Sequence, residues 1–88
     1  MIVTYHPKFK KQLKSRLGDK PKIRIKFYKR LELFVEDVQN PLLKNHHLTG
    51  SMREFWAFSV TGDIRVIYRK LSEDEAELFD IGSHNQVY

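Results

Sequence analysis

Three features of these 88 residues predict an α+β domain in which a helical pair covers one face of an antiparallel sheet. Apolar residues recur every three to four positions through the first forty residues. From about residue 52 the period drops to two. Turn-forming residues then divide the remainder into three strand-length runs. A chain this short buries only one modest core, and 41% hydrophobic with 12% aromatic residues is enough to supply it.

The elements follow in order. Ile2-Val3-Thr4-Tyr5 is a β-branched strand. Pro7 suits the first turn of a helix, and Phe9, Leu13 and Leu17 form its apolar stripe between Lys8, Lys10, Lys11 and Lys14. Gly18 ends that helix, and Asp19 is expected to cap a second one that tolerates Pro21. Ile23, Phe27, Leu31, Phe34 and Val38 carry the second stripe as far as Asn40-Pro41. The short connection makes the two helices antiparallel. A three-stranded antiparallel meander follows. Its first strand spans Met52 to Val60, with Trp56, Phe58 and Val60 on one side. The turn Thr61-Gly62-Asp63 leads into Ile64–Arg69, where Ile64, Val66 and Tyr68 alternate with Arg65 and Arg69. Ser72–Glu75 turns the chain into a last strand, Ala76 to Ile81. Residues 1–88 form one domain, with no repeat or linker.

Charge is unevenly spread. The chain carries +5, yet residues 1–30 hold eight Lys and three Arg against Asp19 alone, a net of +10. The remaining residues carry −5. A basic segment of this kind attracts polyanions, although solvated Lys-rich helices give the same signal. There are no cysteines, so disulfides and thiolate metal sites are excluded. No apolar run at the start suggests a signal peptide and none is long enough to span a membrane, so a cytoplasmic location is expected.

Hairpin register brings polar groups together. A turn near Asp74 sets Arg65 opposite Gly82, and His84 then emerges beside the start of the Arg65 strand. A turn near Gly62 sets Ser59 across from Arg65 and Asp63 at the same end. These residue types suit cleavage of RNA by its own 2′-hydroxyl. Histidine transfers protons near neutrality, and arginine's fork matches two phosphate oxygens. A Ser-His-Asp nucleophile is a weaker reading, because Ser59 lies mid-strand with no G-x-S-x-G motif. A metal site from His46, His47, Asp63 and His84 lacks helical His-x-x-x-His spacing. Each residue also has a plain structural alternative: a salt bridge from Arg65 to Asp80 or Glu77, loop positions for His46 and His47, and core packing for Trp56 and Phe58.

Four segments carry a resemblance: His6-Pro7-Lys8-Phe9-Lys10-Lys11, Leu43–Gly50, Gly62–Arg69 and Ile81–Tyr88. In this order and spacing they resemble the RelE superfamily of toxins from type II toxin–antitoxin systems, and the YafQ-like branch best. The resemblance implies a ribosome-dependent endoribonuclease that cuts messenger RNA and uses no metal or other cofactor. His84 matches the family's C-terminal catalytic histidine and Arg65 the arginine that supports the scissile phosphate. His46 matches the histidine of the loop, Asp63 the turn aspartate, and Tyr88 the terminal tyrosine that orients substrate. Lys44, His47 and Arg53 are counted with Tyr88 as substrate-binding candidates. The resemblance further implies mRNA on the ribosome as substrate, ribosomal RNA as the dock for the basic helices, and a cognate antitoxin that folds onto an exposed apolar strip. Two departures stand out. Ser59 occupies the place of a second YafQ-like histidine, and the lysines of RelE-like members fall among Phe55, Trp56, Ala57 and Phe58. A catalytically weak relative serving as an antitoxin-binding module in a DNA-binding repressor complex is therefore the main alternative, followed by a stand-alone nucleic-acid-binding domain.

Overall fold

The computed structural model describes residues Met1–Tyr88. Strand β1 (Ile2–Tyr5) leads into helices α1 (Pro7–Leu17) and α2 (Pro21–Glu36). Next come a 3-10 turn (Pro41–Leu43), the two-residue strand β2 (His46–His47) and a second 3-10 turn (Gly50–Met52). Strands β3 (Trp56–Ser59), β4 (Ile64–Ser72) and β5 (Glu75–Ser83) follow, and one helical turn, α3 (His84–Val87), ends the chain. The expected α+β class, with its helical pair and its β3–β4–β5 meander, is what the chain adopts. The sheet is wider than expected, however: five strands in the order β1-β5-β4-β3-β2, with β1 parallel to β5 and the other pairings antiparallel.

Both hairpin registers stand as the turns implied. Ser59 pairs with Arg65, Arg65 with Gly82, and Ile64 with Ser83. Alternation then sorts β4. Val66 and Tyr68 join Phe9, Leu17, Phe27, Phe34, Phe58 and Leu78 in the core under the helices. Ile67 turns to the opposite face and packs with Ala57, Leu48 and Val87. A register shift between Ile67 and Tyr68 inserts an extra residue in β5, so Leu78 and Ile81 both reach the main core.

Helix α1 lies along β5 beyond the end of β1. There Arg16 Nη1 donates to Asp80 Oδ1 (3.1 Å) and to the Ile81 carbonyl (2.9 Å), while Lys8 Nζ lies 3.6 Å from Asp80 Oδ2. A buried carboxylate is tolerable only with such partners.

Three local expectations need correction. Asp19 does not cap α2; the N-cap is Lys20, which makes no side-chain cap, and Pro21 begins the helix. Helix α2 ends at Glu36 rather than Asn40, because Asp37 Oδ1 accepts from the Gln39 amide and Asn40 Oδ1 from the Leu42 amide. Such local bonds give the backbone an alternative to the helix. Strand β3 begins at Trp56 and not at Met52. Gly50 takes a left-handed φ of 65° and starts a 3-10 turn that uses the preceding residues.

Candidate active site on the open sheet face

Arg65 is the centre of the open face. It is half-buried, and its one hydrogen bond within the protein runs from Nη1 to Ser59 Oγ at 3.2 Å. The carboxylates that could have neutralised it are engaged elsewhere: Glu77 with Arg69 at 2.9 Å, and Asp80 with Arg16 and Lys8. The salt-bridge alternative for Arg65 is therefore not what the fold adopts. A guanidinium with spare donors and no counterion is suited to an anionic ligand.

The chain end supplies the neighbours. Helix α3 is fixed by a capping box: the Ser83 side chain accepts from the Gln86 amide, and Gln86 Oε1 accepts from the Ser83 amide at 2.8 Å. The pattern Ser83-x-x-Gln86 is the sequence signature of such a box. The box sets His84 at the first helical position, exposed, with its ring edge-on to Tyr88 at 4.5 Å between centroids. Burial pushes the Tyr88 phenol above its ordinary pKa, while the nearby Arg65 guanidinium pulls it the other way. Tyr88 thus stays a neutral hydroxyl at physiological pH, packed on His84 and within the field of Arg65. Gly82 leaves room for this arrangement. A Cβ there would lie 2.6 Å from Gln86 Oε1 and 2.7 Å from Arg16 Nη1. Arg16 and Gln86 are supporting residues that charge and periodicity did not reveal.

Strand β2 separates its two histidines. His46 pairs with Ala57, which shares the face of Ser59 and Arg65; His47 pairs with Trp56, which faces the helices. His46 Nδ1 lies 3.0 Å from the Lys44 carbonyl, an acceptor only, so this nitrogen carries the proton. Its Nε2 is left as the free acceptor. His47 stacks on Trp56 with ring centroids 4.6 Å apart and shares a hydrogen bond with the Arg53 carbonyl. Lys70 Nζ lies 3.8 Å from the Trp56 ring centre. His47 therefore sits apart from Arg65, and Arg53 meets it through a backbone oxygen. The loop bearing His46 is anchored from the core, where Tyr68 Oη donates to Asn45 Oδ1 at 2.6 Å. Burial raises the Tyr68 pKa to about 12.

Asp63 is exposed in the β3–β4 turn at the Arg65 end of the sheet, its amide bonded to Thr61 Oγ1 at 3.2 Å. Lys44 is exposed beside His46 in a left-handed conformation, φ 48°. The fold thus joins Ser59, Arg65, Tyr88 and His84, sets Asp63 at the same end, and turns His46 toward the same face.

Comparison with known proteins identifies the family and the fold. The family described as a bacterial toxin of type II toxin–antitoxin systems, YafQ, matches residues 1–88. No curated protein sequence matches the chain. Among solved structures, YafQ of E. coli strain BL21(DE3) is similar with a TM-score of 0.82 at 20% identity, covering 98% of this chain and 96% of that one. The E. coli DinJ–YafQ toxin–antitoxin complex gives a TM-score of 0.79 at 20% identity over 98% and 94%. A metal-bound toxin from Helicobacter pylori gives 0.77 at 25% identity over 100% and 99%. The chain belongs to the YafQ family of bacterial toxins from type II toxin–antitoxin systems.

Proposed function

We propose that this toxin is a metal-independent endoribonuclease that cuts messenger RNA on the ribosome. The observation that carries the reading is the unpaired Arg65 guanidinium beside Tyr88 and His84. In the reaction, a base takes the proton of an RNA 2′-hydroxyl, whose oxygen attacks the adjacent phosphorus. The bond from phosphorus to the 5′ oxygen breaks, and that oxygen receives a proton. The products are a 2′,3′-cyclic phosphate and a 5′-hydroxyl. His46, whose Nδ1 is taken up by the Lys44 carbonyl, serves as base through Nε2; His84 delivers the proton to the leaving oxygen. Arg65 holds the phosphate oxygens as charge grows on them, and its stabilisation strengthens toward the transition state. Tyr88 orients the neighbouring nucleotide, and Asp63 flanks the same end. The positive segment 1–30 docks on ribosomal RNA.

The proposed regulator is a cognate antitoxin, as in the DinJ–YafQ complex. Two grooves support an antitoxin surface on the helices. Tyr28, Leu31 and Val35 line a groove along the outer side of α2, continuous at Tyr28 with a larger one between α1 and α2 that Tyr5 and Leu13 line.

Expression of the chain without an antitoxin, with mapping of transcript 5′ ends, tests the proposal. Growth arrest with new 5′-hydroxyl ends inside translated codons is expected. Free RNA bound in a salt-sensitive way with no new ends, or no effect at all, would favour a binding module instead.

A further inference from the structure

A second feature lies at the Arg65 end of the sheet, resting on the ribonuclease reading. Beyond β2 the outer edge of β3 has no neighbouring strand, because β2 pairs only with Trp56 and Ala57. The gap between that edge and the turn after α2 is a cleft of about 240 Å³. Lys26 and Arg30 of α2, Lys44, and the run Ser59, Thr61 and Gly62 line it. None of its lining residues is acidic, and none of its three cations forms an ion pair within the protein. Arg30 is held in place by donating to the Leu42 carbonyl. Pro41, Leu42 and Val60 complete the wall, and three cations without a counterion attract an anion to it.

The cleft adjoins the site through two of its own residues. Ser59 Oγ accepts from Arg65 at 3.2 Å, and the Lys44 carbonyl accepts from His46 at 3.0 Å. Lys44 holds φ 48°, a conformation unfavourable for a side-chain-bearing residue, at the point where its backbone meets His46 and its side chain lines the cleft. We infer that this cleft holds the phosphodiester next to the scissile one, so that one RNA strand is gripped at two successive phosphates. The ligand is an RNA backbone phosphate and no base is read there. Lys26, Arg30 and Lys44 then act in binding, and their loss affects KM before kcat.

The test uses the full chain and proton–nitrogen NMR. Titration with inorganic phosphate is expected to shift the Thr61 and Gly62 amides, and Lys26→Glu is expected to abolish the shift. No shift, or one that survives in the variant, overturns the cleft as an anion site. Two 2′-O-methylated oligonucleotides, uncleavable by the proposed mechanism, then separate the sources of affinity. A trinucleotide with two phosphodiesters is expected to bind about tenfold more tightly than a dinucleotide with one, and Lys26→Glu to erase that gain. The double variant Lys26→Ala/Lys44→Ala, with no reversed charge, is expected to do the same. Equal affinities, with binding still dependent on Arg65, overturn the second phosphate site alone. Failure of both oligonucleotides to bind overturns the second phosphate site, whereas the ribonuclease reading stands or falls on cleavage of ribosome-bound message.

Discussion

The two faces of the central sheet use the same strands for opposite ends. Under the helices, Phe58, Val66, Tyr68 and Leu78 are sealed against Phe9, Phe27 and Phe34, with Phe34 and Phe58 stacked at 4.8 Å. On the other face, their neighbours Ser59 and Arg65 meet a terminal helical turn and a loop, and the strongest group there has no countercharge. One residue along β4 moves from a position sealed in the core to one left without a countercharge. The difference teaches which interactions are closed within the molecule and which are left for something outside it.

Substitutions should separate the faces. The largest stability effect is expected beneath the helices: Phe58→Ala removes a fully buried ring and costs roughly 3–5 kcal/mol, measured by urea unfolding. Toxicity then falls only as far as the protein unfolds. On the open face, His84→Ala is expected to lower cleavage about hundredfold while the unfolding midpoint stays put, since the side chain is exposed. A matching fall in stability would erase the distinction between the faces. Tyr68→Phe crosses between them, because it removes the bond from the core to Asn45. It should cost about 1 kcal/mol at neutral pH. The wild-type contribution from the neutral Tyr68 phenol is complete below the unfolded pKa of about 10. It is lost as the pH rises through about 12. Alkaline unfolding curves should therefore be less steep in the variant. Smallest is Ser83→Ala, which removes one half of the capping box under His84 and costs about 0.5 kcal/mol. Its cleavage rate should fall more than this loss of stability explains.

The contrast also accounts for what was legible in sequence. Alternation and turn residues placed Arg65 opposite Ser59 and Gly82 correctly, since side-chain period and register are local consequences of strand geometry. The parallel pairing of β1 with β5 joins residues about seventy positions apart, and no short-range pattern encodes it. Strand β2 was missed because two residues carry no period. The helix end at Glu36 was misplaced because Asp37 and Asn40 close local turns that outweigh the continuing apolar stripe at Val38. For the site, residue types suggested the chemistry, whereas the engagement of Asp80 and Glu77 elsewhere could come only from three dimensions. That engagement leaves Arg65 without a carboxylate. The separation of His46 from His47 depended on the register of β2 with β3 in the same way.

The most direct test of the account compares purified wild-type toxin with Arg65→Ala on ribosomes carrying a defined message. Cleavage rate and thermal unfolding are measured on the same preparations. The unpaired guanidinium predicts a rate lower by about a hundredfold or more with an essentially unchanged melting temperature. Undiminished cleavage by a fully folded Arg65→Ala protein would contradict it.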